Sequence, residues 1–111
     1  MRISVEITRN FESDAKPFFK KYRKFGEDLK SLKQSLELNP EQGVALGYNI
    51  YKVRLALTDK NKGKSGGARV ITHVLMEIDK KRVRLISIYD KSEIDAVPVK
   101  EIKELVKRII G

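Results

Sequence analysis

The chain opens with a strand-like alternation of apolar and polar side chains. In the segment RISVEIT, Ile3, Val5 and Ile7 fall on one side, which is the period of a half-buried β-strand. The pattern then becomes helical in FESDAKPFFKKY. There Ser13 is a suitable N-terminal cap, and Pro17 falls near the first turn, where a missing N–H costs little. We therefore predict a first strand followed by a helix.

A second helix is predicted before residue 40. Apolar residues recur at the spacing of one helix face, at Phe25, Leu29, Leu32 and Leu36. The dipeptide Asn39-Pro40 ends this helix, because a residue that precedes proline is biased away from the helical conformation. Two consecutive helices are the result, and they carry many of the basic residues of the first half of the chain.

The second half of the chain has the pattern of three strands with short connections. In NIYKVRLAL (49–57), apolar residues alternate with Lys52 and Arg54, so these two side chains share the opposite face. ARVITHVLM (68–76) is β-branched and mostly apolar, as in a central strand that is covered on both faces. RVRLISIYD (82–90) repeats that character. Such a series predicts an antiparallel meander.

The last segment is predicted to be an amphipathic helix that begins near Pro98. Its apolar face is formed by Val99, Ile102, Leu105, Val106 and Ile109. The predicted order is β-α-α-β-β-β-α, an α+β fold in which an antiparallel curved sheet is packed by two N-terminal helices and a C-terminal helix. A length of 111 residues predicts a single domain over residues 1–111.

Composition is typical of a globular protein and excludes several kinds of chemistry. Hydrophobic residues make up 41% of the sequence, which is enough for a packed core. No apolar run approaches the ~20 residues that span a bilayer. The absence of cysteine removes disulfides, thiolate catalysis and cysteine-based metal sites. The first residues lack the apolar core of a signal peptide, so we expect a cytoplasmic protein with no membrane partner.

The charge balance points to a polyanionic partner. Lysine and arginine number 24 against 15 acidic residues, which gives a net charge of +9. The excess is concentrated in two segments: residues 16–33 have seven basic and two acidic side chains, and residues 52–69 have six and one. A localised excess favours a phosphate-binding surface over a charge that serves only solubility.

The second basic segment contains a loop rich in lysine and glycine, DKNKGKSGGARVIT. If the strands on either side pair as a hairpin, Arg69 lies near the face that carries Lys52 and Arg54. Arginine offers forked donors and lysine a point charge to a phosphodiester backbone. Further phosphate contacts are expected from the loop itself, at Lys62, Lys64, Gly66 and Gly67. The alternative is a solvated hairpin whose charges only keep a sheet edge soluble.

The residue types predict chemistry without a metal or another cofactor. The one histidine, His73, sits in an apolar strand without clustered carboxylates, which favours a structural role. RNA cleavage needs no metal, because the 2′-hydroxyl can attack the adjacent phosphodiester when it is held in line and the phosphorane charge is stabilised. Clustered cations and burial both disfavour the charged form of a lysine, and the crowded set of Lys52, Arg54, Arg69 and Lys91 is where a lysine could act as a base. Tyr89 could stack on a base, donate a proton or close its strand against the core.

Three segments of the chain are familiar in combination: NPEQGVALGYNIYKVRLAL, GKSGGARVIT and LISIYDKSEIDAVPVKEIKELV. They resemble the RelE/ParE superfamily of bacterial toxins, most closely its RelE- and HigB-like members, over nearly the whole chain. RelE-type members are ribosome-dependent mRNA endoribonucleases that a cognate antitoxin holds inactive. The resemblance thus implies a toxin of a toxin–antitoxin module. Its implied partners are the ribosome, mRNA and an antitoxin, with which it would form a hetero-oligomer.

The resemblance also implies roles for particular residues. Arg54 and Arg69 match the arginines of the active groove, with Lys52 beside them. The strand end YDKSE supplies the candidates for proton transfer, which are Tyr89, Lys91 and Glu93. The tyrosine or histidine that many members carry after the last strand is absent from EIDAVPVKE, so the acid and the base stay open. Two alternatives also stay open: a ParE-like inhibitor of DNA gyrase without nuclease activity, and a non-catalytic basic RNA-binding domain.

Overall fold

The computed structural model describes residues 2–60 and 67–110 and shows the α+β fold that the pattern predicts. The strands are β1 (Arg2–Ile7), β2 (Val44–Gly47), β3 (Ile50–Leu55), β4 (Ala68–Met76) and β5 (Lys80–Asp90). The α-helices are α1 (Arg9–Lys21), α2 (Phe25–Leu38), α3 (Lys91–Ile94) and α4 (Val99–Ile110), and a 3-10 turn spans Thr58–Lys60. Within the described ranges, no helix has the length and apolar character needed to cross a membrane.

The five strands form one sheet in the order β1-β5-β4-β3-β2. The predicted antiparallel meander of β3, β4 and β5 is confirmed. The sheet is mixed, however, because β1 pairs in parallel with β5. The expectation of a wholly antiparallel sheet was wrong at this edge. The chain leaves β1 through two helices, so no hairpin fixes the direction of β1 against its neighbour.

Strand β2 is an element that the pattern did not predict. Its four residues are mostly exposed, with Val44 at 58% exposure, so no alternation of buried and exposed positions marks it. The turn into β3 places Tyr48 and Asn49 at φ values of 54° and 63°. Positive φ at both central residues is the geometry of the tight turns that join antiparallel strands. This hairpin adds the outer edge of the sheet.

Helix α1 begins at Arg9, earlier than the cap predicted at Ser13. The cap is Thr8, whose hydroxyl oxygen accepts a hydrogen bond from the Phe11 amide at 3.2 Å. Pro17 therefore lies inside the helix and not in its first turn. An interior proline costs about 3 kcal/mol relative to alanine. Burial of Phe11, which is 1% exposed, offsets part of that cost by anchoring the first turn in the core.

Apolar clusters lie on both faces of the sheet. The larger one fills the space between the sheet and the pair α1 and α2, and it includes Phe11, Phe25, Leu36, Val53, Val70 and Leu85. The smaller one lies between the other face and the helices α3 and α4, and it contains Ile50, Ile71, Ile86, Ile94, Ile102 and Val106. We call this second side of the sheet the α4 face. The predicted covering of β4 on both faces is confirmed.

Candidate nucleic-acid interface

A row of three side chains crosses the α4 face at one end of the sheet. Arg54 on β3 lies opposite Arg69 on β4, and Arg69 lies opposite Tyr89 on β5. Neighbouring strands are about 4.8 Å apart, so the three residues are direct cross-strand neighbours. Arg54 is exposed, while Arg69 and Tyr89 are half-buried. We call this set the Arg–Arg–Tyr row. The hairpin pairing on which its prediction depended is confirmed.

Lys52 extends the positive charge along β3. It lies two residues before Arg54 and therefore on the same face, opposite Ile71. Lys52 is half-buried. The Arg69 guanidinium donates a hydrogen bond to the carbonyl oxygen of Ala68 at 3.1 Å, which leaves most of its donors available. The face thus presents three cationic side chains at adjoining positions.

A bulge in β5 brings Tyr89 to the α4 face. Ile71 of β4 pairs with Ser87, but the next residue, Thr72, pairs with Leu85. Ile86 is therefore an extra residue in β5. Leu85 and Ile88 both pack in the larger cluster, although an uninterrupted strand would put residues three apart on opposite faces. Without the bulge Tyr89 would point toward α1. Nothing in the alternation of RVRLISIYD predicts this shift.

Gly67 fixes the chain where the basic loop returns to the sheet. Its φ is +91°, and a Cβ atom there would lie 2.6 Å from the carbonyl oxygen of Leu55. Only glycine fits this backbone without strain. Its own carbonyl accepts a hydrogen bond from the Lys91 amide at 3.1 Å, which joins the loop to the start of α3. The predicted phosphate contact of Gly67 stays a prediction, and Lys62, Lys64 and Gly66 lie outside the described residues.

Lys91 and Glu93 belong to a capped helical turn directly after β5. Asp90 is the cap, and its carboxylate accepts a hydrogen bond from the Ser92 amide at 3.0 Å. In return, the Asp90 amide donates to the Glu93 carboxylate at 3.2 Å, which completes a capping box. Glu93 therefore has a structural contact, whereas Lys91 makes no ion pair within the described ranges.

An ion pair ties the base of the loop to this capped turn. The Lys60 ammonium lies 3.1 Å from the second carboxylate oxygen of Asp90. Burial raises the pKa of Asp90, but hydrogen bonds from Ser92 and Lys60 outweigh it and hold the pKa below its ordinary value. The hydrogen bond to Asp90 raises the pKa of Lys60 in turn. Both groups are charged at neutral pH, so Lys60 and Gly67, on either side of residues 61–66, each contact the junction of β5 and α3.

His73 lies away from the Arg–Arg–Tyr row. It faces Ile50 and Arg84 across the strands and is 8% exposed. Burial, with a smaller contribution from Arg84, lowers its pKa, so the ring is neutral at pH 7. The ring is buried in the sheet, but its Nδ1 has no hydrogen-bond partner among the described residues, so the satisfied structural role that the sequence favoured stays a prediction. Among the described residues, no three His, Cys, Asp or Glu side chains gather into a group of the kind that holds a metal ion.

Three residues that the sequence did not single out line a cleft next to Tyr89. Glu101, Glu104 and Arg108 lie along one flank of α4, at spacings of three and four residues. The sequence marks these positions only as the polar side of an amphipathic helix. Their relation to Tyr89 depends on the bulge in β5 and on how α4 crosses the sheet, and neither has a local signal.

No known family profile matches the chain. Among solved structures, the chain is similar to the Escherichia coli toxin RelE, determined in the free state as a double arginine-to-alanine variant. The TM-score is 0.60 and the sequence identity is 23%, and the match covers 98% of this chain and 99% of the other. The protein therefore has the fold of RelE. The resemblance that its sequence segments carry is confirmed at the level of the fold.

Proposed function

We propose that this protein is the toxin of a toxin–antitoxin module and that it cleaves mRNA on the ribosome without a metal. The observation that carries the proposal is the Arg–Arg–Tyr row. Like charges directly opposite each other destabilise a sheet, so Arg54 beside Arg69 has a cost that a bound anion would remove. The similarity to a protein described as a toxin and the net charge of +9 support the same conclusion.

In the proposed reaction, the two arginines hold the scissile phosphate. Their forked donors meet the non-bridging oxygens and stabilise the charge that grows when the RNA 2′-hydroxyl attacks the phosphorus. Lys52 holds a neighbouring phosphate, and Lys62 and Lys64 are proposed as further phosphate contacts on their charge. A proton leaves the 2′-hydroxyl and another reaches the departing 5′-oxygen. Tyr89 and Lys91 are our candidates for these transfers, with Glu93 as a third.

The proposed partners are the ribosome, its bound mRNA and a cognate antitoxin. The ribosome would present a single strand of mRNA whose phosphates the cations of the α4 face can reach. An antitoxin would block that face or distort it, and the complex would be a hetero-oligomer. Because the cleavage needs only cations and proton carriers, we propose no cofactor.

Induced expression in a bacterial host tests this function. We expect growth arrest together with new 5′ ends inside translated reading frames, because cleavage on the ribosome is confined to messages in translation. The mapping of 5′ ends across cellular mRNA measures this directly. Arrest with intact messages and induced DNA damage would instead support an inhibitor of DNA gyrase. Growth without arrest, in cells that contain the folded protein, would support the third alternative, a non-catalytic basic RNA-binding domain.

Replacement of Glu93 by glutamine separates its capping contact from a role in proton transfer. Glutamine retains the side-chain oxygen that accepts the Asp90 amide, so α3 should stay capped and the melting temperature nearly unchanged. We expect cleavage of programmed ribosomes to stay within a few-fold of the unmodified protein. A loss of cleavage at an unchanged melting temperature would show that the Glu93 carboxylate carries a proton.

A further inference from the structure

The cleft between β5 and α4 has a volume of about 300 Å³. Its walls are formed by Tyr89, Val97, Glu101, Glu104, Leu105 and Arg108. We call it the Tyr89 cleft. It combines an aromatic ring, two apolar side chains, two carboxylates and a guanidinium. Neither carboxylate makes a hydrogen bond or ion pair to any residue in the described part of the chain, and the same holds for the Arg108 guanidinium.

The Tyr89 cleft opens beside the proposed phosphate site. Tyr89 is the cross-strand neighbour of Arg69, so the Cα atoms of the two residues are about one strand spacing apart, ~5 Å, and both side chains lie on the α4 face. In a nucleotide, one sugar separates the base from its phosphate. A phosphate held between Arg54 and Arg69 would therefore leave the adjoining base within reach of the Tyr89 ring.

The residues of the cleft suit a base and not another phosphate. Single-stranded RNA is recognised by stacking of splayed bases on aromatic rings or guanidinium planes, with hydrogen bonds to the base edges. The carboxylates of Glu101 and Glu104 repel phosphate, but they accept hydrogen bonds from exocyclic amino groups. Adenine, cytosine and guanine carry such an amino group, whereas uracil offers only its ring N3–H, which lies between two carbonyl oxygens that a carboxylate repels.

On this basis we infer that the Tyr89 cleft binds the nucleobase next to the scissile phosphate and selects amino-bearing bases over uracil. The inference rests on the proposed function, since it takes single-stranded RNA as the ligand. Tyr89 would stack on the base, which leaves Lys91 and Glu93 as the candidates for proton transfer. Glu101 and Glu104 would accept from the amino group of the base, and Arg108 would close the outer side. The selectivity would reside in α4, while the phosphate contacts would reside in β3 and β4.

The test measures binding apart from cleavage. Short RNA oligonucleotides with a 2′-deoxy residue at the scissile position cannot be cut, and four of them differ only in the base at the neighbouring position. Fluorescence anisotropy gives each dissociation constant. We expect the oligonucleotides with adenine, cytosine or guanine to bind about fivefold or more tightly than the one with uracil. In the variant Glu101→Ala/Glu104→Ala, that ratio should fall to about one.

A matched control removes the effect of charge. Loss of two carboxylates strengthens binding to every RNA, so the ratio between bases and not the affinity is the readout. Glu27→Ala/Glu37→Ala removes the same charge from exposed positions of α2, and it should leave the ratio intact. Alanine is compatible with both helices, and thermal melting checks that each variant folds.

Each outcome bears on the inference separately from the proposed function. Equal affinity for all four oligonucleotides would overturn the inference, as would a ratio that survives in Glu101→Ala/Glu104→Ala. Failure to bind any of the four would also overturn it. The mapping of 5′ ends on cellular mRNA decides the proposed nuclease function independently, because a nuclease without base selection would still cut.

Discussion

Arg69→Ala is expected to lower mRNA cleavage by about 10²–10³-fold, the usual effect of removing one donor that stabilises transition-state charge. Arg69 is the central member of the Arg–Arg–Tyr row and the only one with a neighbour on both sides. Its loss removes a forked donor from the phosphate and leaves Arg54 to neutralise the phosphorane alone. The measurement is the rate of message cleavage on programmed ribosomes.

The same substitution should leave the fold nearly intact. Arg69 is half-buried and makes one described side-chain hydrogen bond, to the carbonyl of Ala68, which is worth about 1 kcal/mol. Removal of Arg69 also relieves its repulsion with Arg54, which offsets part of that loss. Thermal melting followed by circular dichroism checks this. A variant that no longer folds would show that Arg69 is a structural residue.

Two further variants distinguish the loss of the Arg69 guanidinium from the loss of one positive charge. Arg2→Ala removes an exposed arginine from the opposite end of the same sheet, so it lowers the net charge equally and should keep full cleavage. Arg69→Lys keeps the charge but loses the planar fork, and we expect intermediate activity. If Arg69→Ala cleaved as fast as Arg2→Ala, the Arg–Arg–Tyr row would not be the phosphate site.

Local periodicity predicted most of the helices and strands of this fold. The alternation in β3 put Lys52 and Arg54 on one face, and the antiparallel pairing with β4 then brought Arg69 beside them. That part was predictable because a strand has a fixed period of two and a hairpin has few registers. The side chains that hold α3 also had a local signal: Asp90 followed three residues later by Glu93 is the signature of a capping box.

What escaped prediction depends on contacts between distant parts of the chain. The parallel pairing of β1 with β5 joins residues about 80 positions apart, and no turn near either strand in the sequence indicates that they pair. Strand β2 is too exposed to show a pattern. The bulge at Ile86 is one extra residue in a run of apolar side chains, yet it decides which face carries Tyr89. The Tyr89 cleft follows from that bulge and from the position of α4, so its carboxylates look like ordinary surface residues in the sequence.

The folding stability that supports this site should depend most on the aromatic cluster under α1 and α2. Phe25 is 0% exposed, and its ring lies 5.5 Å from that of Phe18 and 4.7 Å from that of Phe19. Phe25 stands at the first turn of α2, so it fixes both helices against the sheet. Phe25→Ala should lower the free energy of unfolding by about 3–5 kcal/mol, a large part of the ~5–15 kcal/mol available to a small protein.

The matched control is Phe19→Ala, because Phe19 is the edge-on partner of Phe25 but is 53% exposed. Its truncation loses that aromatic contact, worth about 0.5–1.5 kcal/mol, and leaves no buried cavity. Urea denaturation followed by circular dichroism measures the free energy of unfolding of both variants under the same conditions. Equal losses would mean that the cavity left by Phe25 collapses and that α2 is not anchored there. A loss confined to Phe25→Ala would show that the stability of the sheet carrying the two arginines depends on this buried ring.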